Sequence, residues 1–216
     1  MKSFLKLFLI VVFISGIANA QPEIPDYSKL PSVVKRPNAL IPTPNGIMST
    51  ITTINGFDNF FLGVDFGEPY IVANPNDPLN AVCAFNTNDL YYTLNGIDWT
   101  KNTPGFGSYG VVGDPVLAYD SLGVLYYTTL IESPTYGLVT VKSTNKGVSW
   151  STPYLIYGTT VGLSDKEWIV CDQTAGPNSN NVYAGWRQFG SSGMRFTRST
   201  DGGVNWSTPA YLAGDQ

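Results

Sequence analysis

Glu68-Pro69-Tyr70-Ile71-Val72-Ala73-Asn74, Asp114-Pro115-Val116-Leu117-Ala118-Tyr119-Asp120 and Lys166-Glu167-Trp168-Ile169-Val170-Cys171-Asp172 are three versions of one phrase. Each opens on a polar residue, allows a variable second one, runs through four mainly apolar residues and closes on Asn or Asp. Short apolar runs rich in β-branched and aromatic residues, bounded by turn formers, read as buried strands. The phrases start 46 and 52 residues apart. Further along each unit a second element ends in tryptophan: NGIDW at 95–99, STNKGVSW at 143–150 and STDGGVNW at 199–206. The tryptophans Trp99, Trp150 and Trp206 are 51 and 56 residues apart.

Between the two elements lie more strand-like runs. Ala81–Asn86, Val124–Leu130 and Val182–Arg187 come first, then Leu138–Lys142 and Met194–Arg198. The unit is therefore about four short strands in ~50 residues, the size of one β-propeller blade. The tryptophan element reads as a stapled turn. A Ser or Thr and an Asp or Asn ahead of a tight turn accept hydrogen bonds from the turn's own amides. Gly147 and Gly203 supply the positive φ, and the tryptophan returns as a large apolar anchor.

The element resembles the Asp box, Ser-x-Asp-x-Gly-x-x-Trp, of sialidases and other BNR-repeat proteins. Ser199, Asp201, Gly203 and Trp206 match it in full. Ser143, Asn145, Gly147 and Trp150 match with Asn for Asp, and the first copy keeps Gly96 and Trp99 with Leu94 at the acid position. The strings EPYIVANPNDPLNAV, GDPVLAYDSLGVLYY and DKEWIVCDQTAGPNSNNVYAGW are similar to inner-strand segments of bacterial secreted sialidase-family proteins. The resemblance spans roughly residues 65–210. It implies an all-β fold and a six- or seven-bladed propeller, of which residues 65–216 hold about three four-stranded blades.

The amino-terminal segment sets the compartment. Lys2 and Lys6 precede an apolar run from Leu7 to Ala18, and Ala18-Asn19-Ala20 places small residues at the −3 and −1 positions of a cleavage site. The run is shorter than the ~20 residues needed to span a bilayer. Residues 1–20 therefore read as a signal peptide, which makes the mature chain secreted or cell-surface. Cleavage removes two lysines and no acid, so the formal charge moves from −4 to −6. An acidic chain lacks the cationic face that nucleic acid requires and carries no polybasic patch for anionic lipid. Cys83 and Cys171 both sit in apolar strand runs and read as two buried free thiols, although an exported chain permits a disulfide.

Three blades do not close a ring, and an open arc leaves strand edges unpaired. The reading is the N-terminal part of a longer protein, with a three-blade arc that dimerises as the alternative. Residues 21–64 form a Pro- and Asn-punctuated lead-in, with Ile51–Ile54 as a possible closing strand, and the tail after Trp206 supplies about one outer strand.

Blade topology then separates structure from chemistry. The boxes fall on third-to-fourth turns, away from the starts of the inner strands, so Asp201 reads as structural. The inner strands start at Glu68, at Asp114 and at the group Asp165, Lys166 and Glu167. Arg187 ends a second strand on that same side, next to Trp186, which is suited to stacking on a sugar ring. Converging carboxylates bind a sugar or a cation, or act as general acid and base. The alternative is ordinary turn capping, of which Asp114-Pro115 is a good example. No arginine triad of the sialidase kind is assignable, and the Phe/Tyr-Arg-Ile-Pro motif is missing. With no histidine, a Ser-His-Asp triad is excluded. The oxygen-rich loops Asn74–Asn80 and Asp172–Asn181 lack the spacing of a known calcium loop, so no cofactor is expected.

The resulting expectation is an exported module that binds glycan, a glycoprotein or another extracellular polymer. A sialidase-type glycoside hydrolase and a scaffold or adhesion protein are the alternatives. Amino-terminal sequencing of the exported product is expected to start at Gln21; a product that keeps Met1 would refute cleavage.

Overall fold

In the computed structural model the described residues are 50–62, 67–190 and 193–212, and they form fourteen strands and no helix. The segment expected to be a signal peptide and most of the lead-in lie outside the described residues. The lead-in's expected single strand is in fact a hairpin: β1 (Thr50–Ile54) pairs antiparallel with β2 (Phe57–Phe61) across Asn55 and Gly56. Both turn residues have positive φ (52° and 83°), the geometry of a tight two-residue hairpin.

Three four-stranded antiparallel meanders follow. The first is β3 (Tyr70–Asn74), β4 (Asp77–Phe85), β5 (Asp89–Thr93) and β6 (Trp99–Asn102). The second is β7 (Gly110–Tyr119), β8 (Leu125–Ser133), β9 (Tyr136–Ser143) and β10 (Tyr154–Thr159). The third is β11 (Ser164–Cys171), β12 (Val182–Gln188), β13 (Met194–Ser199) and β14 (Ala210–Leu212). First strands neighbour one another, β3 beside β7 and β7 beside β11, so the sheets stack face to face along their first strands.

Strand periodicity decides which side chains fill each junction, because alternate residues point to opposite faces. Tyr70, Val72, Val82 and Leu90 of the first sheet pack on Leu117 and Tyr127 of the second. From the other face of the second sheet, Val116, Ala118 and Tyr126 pack on Ile169, Cys171 and Val182 of the third. Leu130, Leu138, Ala184 and Trp186 complete that junction. The second sheet is thus covered on both faces, which is why Val116 through Asp120 are buried without alternation. Each fully buried leucine contributes about 1.5–3 kcal/mol of hydrophobic free energy. On the far face of the first sheet Phe60 and Leu62 pack against Trp99, Cys83 and Tyr91. Cys83 and Cys171 are free and buried in different clusters, and burial pushes their thiols up to about 11 and about 12.

The turns ahead of Trp150 and Trp206 are stapled by side-chain hydrogen bonds. Ser143 Oγ accepts from Gly147 N at 2.9 Å and Ser199 Oγ from Gly203 N at 2.8 Å. Asn145 Oδ1 accepts from Ser149 N, and Asp201 Oδ1 from Asn205 N, both at 2.9 Å. These bonds hold the Asp201 carboxyl at about 2, so it stays ionised at any ordinary pH. The first box needs a correction. Thr93 stands opposite Ala81 as Ser143 stands opposite Leu125 and Ser199 opposite Val182. Asn95, not Leu94, therefore holds the acid position, and its Oδ1 accepts from Ile97 N at 3.0 Å and Asp98 N at 2.8 Å. The turn is one residue shorter, with Gly96 alone at positive φ where the other boxes use the pairs Lys146-Gly147 and Gly202-Gly203.

Glu167 also departs from its expected place. It is fully buried rather than at the rim, with neither carboxylate oxygen hydrogen-bonded, because it falls on the same face of β11 as Ile169 and Cys171. Desolvation raises its pKa well above the ordinary value. A raised acid pKa gives stability that is full below the unfolded value and is lost as pH rises toward the folded value. Unfolding temperatures are therefore expected to fall between pH 5 and pH 8 with a slope that Glu167→Gln reduces. Equal slopes for both proteins would show that this carboxyl ionises freely.

Candidate functional site

The three inner strands share a distortion that the sequence repeat does not advertise. Gly67 accepts a backbone hydrogen bond from Asn86, yet three residues on Tyr70 stands opposite Ala84, only two residues back. Gly113 stands opposite Leu130 and Val116 opposite Thr128; Asp165 stands opposite Arg187 and Trp168 opposite Gly185. Each first strand thus carries one extra residue at the same point, a β-bulge. The bulged residues Glu68, Asp114 and Lys166 have φ of 58°, 54° and 47°. That left-handed conformation costs a non-glycine residue about 1–2 kcal/mol. Bulges re-aim side chains, and here they bring three charged groups from three sheets to one place. With Tyr70, Val116 and Trp168 they line a small cavity of about 60 Å³.

Glu68 and Asp114 share a side-chain hydrogen bond, and Asn86 Nδ2 donates to Glu68 Oε2 at 2.9 Å. Asn86 Oδ1 accepts from the Asp114 amide at 2.6 Å, so one amide side chain clamps the first sheet to the second. Gly113 permits this approach: a Cβ there would lie 2.7 Å from Asn86 Oδ1. Asp114, desolvated and hydrogen-bonded to Glu68, is pushed up to about 6. Glu68 is held low by its bonds from Asp114 and Asn86. One proton therefore sits on the Asp114 side of the pair in mildly acid solution. Lys166 lowers both carboxyls electrostatically.

Of the residues expected at this rim, Glu68, Asp114 and Lys166 come together, and Asp165 acts on Asp114 through its charge. Trp186 does not belong to it. Its ring is fully buried between the second and third sheets against Tyr157, and Nε1 donates to Gln188 Oε1 at 3.2 Å. Along β12 the even residues face inward, so Trp186 had to be buried if Arg187 was not. Arg187 lies across from Asp165 in the ladder, with its guanidinium over the Phe189 ring at 5.4 Å.

Two participants were not read from the sequence. Asn86 carries the clamp, and its only signal was a polar residue closing the apolar run of Ala81–Phe85. The aromatic surface is supplied by Tyr70 and Trp168, whose rings meet edge-on at 5.9 Å. The oxygen-rich loops spend their oxygens on their own turns: Asn74 Oδ1 accepts from Asn76 N at 2.9 Å, and Asp172 Oδ1 from Thr174 N at 2.8 Å. Among the described residues no three metal-binding side chains cluster.

A solved structure described as an unknown function protein from Dyadobacter fermentans DSM 18053 matches this chain with a TM-score of 0.55 at 13% identity. The match covers 82% of this chain and 60% of that one, so this chain spans less than two thirds of the matched protein. At that identity the likeness concerns the fold alone. No family model and no curated protein matches the sequence.

The clamp predicts opposite effects for two substitutions. Asn86→Ala is expected to cost about 1–3 kcal/mol by leaving the Asp114 amide and the Glu68 carboxylate short of a partner. Asp114's raised pKa gives stability that fades as pH rises through about 6. Asp114→Asn should therefore remove part of the pH dependence between 4 and 6 and raise the melting temperature at pH 7.5. Melting curves on the two variants decide; a stabilising Asn86→Ala would contradict the clamp.

Proposed function

We propose that the three sheets are blades of a sialidase-like propeller. We further propose that the exported chain binds glycan where its inner strands begin, through Glu68, Asp114 and Lys166 with the rings of Tyr70 and Trp168. One observation carries this reading. Three successive sheets each hold a charged residue in a strained left-handed bulge, and the three meet around one cavity beside an exposed tryptophan. Strain retained at one equivalent point in three sheets is a pointer to function. Carboxylates and an ammonium suit sugar hydroxyls, while aromatic rings suit the apolar face of a pyranose.

The small shared cavity weighs against a glycoside hydrolase built on this pair. Retaining glycosidases hold their two carboxyl groups about 5–5.5 Å apart and inverting ones about 6.5–9.5 Å. Glu68 and Asp114 line one cavity of about 60 Å³ and interact with each other, which leaves little room for a glycosidic bond between them. An acidic sugar is also disfavoured, because two carboxylates and one lysine do not reproduce the paired charges that a sugar carboxylate needs. Neutral or amine-bearing glycans fit better.

The test is a glycan array followed by calorimetry on the chain from Gln21. Binding to a neutral or amino sugar is expected, weakened at least about tenfold, or about 1.4 kcal/mol, by Glu68→Ala or Trp168→Ala. Asp201→Ala, at the far end of the strands, should leave affinity unchanged at temperatures where it is folded. Binding indifferent to Glu68 and Trp168 would sink this site, and turnover of a fluorogenic glycoside would restore the hydrolase.

A further inference from the structure

The turn between β8 and β9 of the second sheet closes directly onto the chain that leads to the third sheet. Thr135 Oγ1 donates to Thr159 O at 2.8 Å, and a Cβ at Gly158 would lie 3.0 Å from the Thr135 side chain. The equivalent place in the first sheet is open. There the turn between β4 and β5, at Thr87 and Asn88, and the connection 103–109 from β6 to β7 border a cleft of about 420 Å³. Small-molecule sites are clefts of about 300–1,000 Å³. The connection from β10 to β11 is shorter, residues 160–163. The longer connection after the first sheet supplies the cleft's outer wall.

That wall is anchored. Phe106 is buried, and its ring meets Tyr127 of the core edge-on at 5.4 Å. Tyr109 N donates to Phe106 O at 3.1 Å, and a Cβ at Gly107 would lie 3.4 Å from Pro153, just ahead of β10. Its polar groups, by contrast, are uncommitted. Elsewhere Asn and Asp at turns accept from their own turn amides, as Asn74, Asn95 and Asp172 do. The hydroxyls of Thr87, Thr103 and Tyr109 and the side-chain amide of Asn88 make no hydrogen bond among the described residues. Each of these groups both donates and accepts. No charged side chain among the described residues lines the cleft, and Asp89, next along the chain, is paired with Lys101 at 2.8 Å. An anion would find no cation here, and a cation no carboxylate. A neutral sugar ring has the matching character, hydroxyls that donate and accept around an apolar body.

We propose that this cleft is a second subsite, which takes one uncharged sugar ring of a glycan whose neighbouring part lies at Glu68, Asp114 and Lys166. Asn88, Thr103 and Tyr109 hydrogen-bond the ring's hydroxyls, and Val111 with the edge of Phe106 takes its apolar side. Thr87 directly follows Asn86, which bonds both Glu68 and the Asp114 amide, so one turn serves the cleft and the charged cavity alike. The subsite presupposes the glycan reading of the inner-strand end and adds a length to it: at least two rings, one of them uncharged.

The experiment is calorimetry on the full chain with oligomers of glucose, of N-acetylglucosamine and of glucosamine, each one to four rings long. Affinity is expected to rise at least about tenfold from one ring to the longer oligomers as the second subsite is engaged. Two variants address the cleft, and melting curves check that each is folded. Asn88→Ala with Tyr109→Phe removes two polar partners and keeps the ring. Gly105→Leu, at a position in the cleft lining where a Cβ meets no atom within 4 Å, fills the space and removes no partner. Both should abolish the gain with length, and Glu68→Ala should weaken binding as well. A gain that survives in both variants overturns the subsite, and if Glu68→Ala still weakens binding the charged cavity stands without it. Weakening by the cleft variants but not by Glu68→Ala supports the cleft and overturns the glycan reading of the charged cavity. No gain with length, or no binding of any oligomer at millimolar concentration, overturns the subsite. Should the double variant not fold, Gly105→Leu decides alone.

Discussion

A meander of four short strands cannot bury its own faces, and everything in this protein follows from that shortfall. A sheet of about fifty residues has apolar side chains on both sides because strand geometry sends alternate residues both ways. It gains stability as neighbours cover its faces. The second sheet has both neighbours and is the best-buried part of the chain; the third has one and carries the exposed tryptophan. The repeat is therefore less a set of three small domains than one extended core cut into slices.

Stacking along the first strands has a geometric consequence. Equivalent residues of successive sheets are brought close at the end where those strands begin, and the other end is left to turns. The box turns use this second end as a seam. In the second and third boxes carbonyls and glycines contact the preceding sheet, so these two staples both close their own hairpins and fasten their sheets to the one before. The acid of the box serves the hairpin alone. That explains why Asn145 replaces Asp201 with little change, and why the first box works with Asn95 and one residue fewer.

The fold was legible because its signal is repeated and local. Three apolar phrases, three tryptophans and their spacing are sequence facts, and the ladders reproduce them. The lead-in hairpin was half-read because Phe57–Phe61 has no counterpart in the repeat. The candidate site was less legible, for reasons that differ by residue. Glu68, Asp114 and Lys166 were found by their position at the start of a phrase. Glu167 and Trp186 were misplaced because chain proximity to those residues says nothing about the face a side chain takes. Glu167 turns inward in ordinary alternation with Ile169 and Cys171, which leaves Trp168 outward. A bulge leaves no mark in composition and is visible only in the pairing register.

That register shift also links the polar end to the apolar face. Without the extra residue, Lys166 and Trp168 would still share a face, but the pairing of Ser164 and Asp165 with β12 would slip by one. With it, the charge leaves the ladder while the residue two places on resumes the strand and packs sideways. Each inner strand thus does two things in three residues: it gives up a charge to the common cavity and sets an aromatic or aliphatic side chain on its outer face. The cost is a left-handed residue in each sheet. Three such costs, offset by burial at the junctions, are what a purely structural repeat would have shed by placing glycine at the bulge, where the strain vanishes.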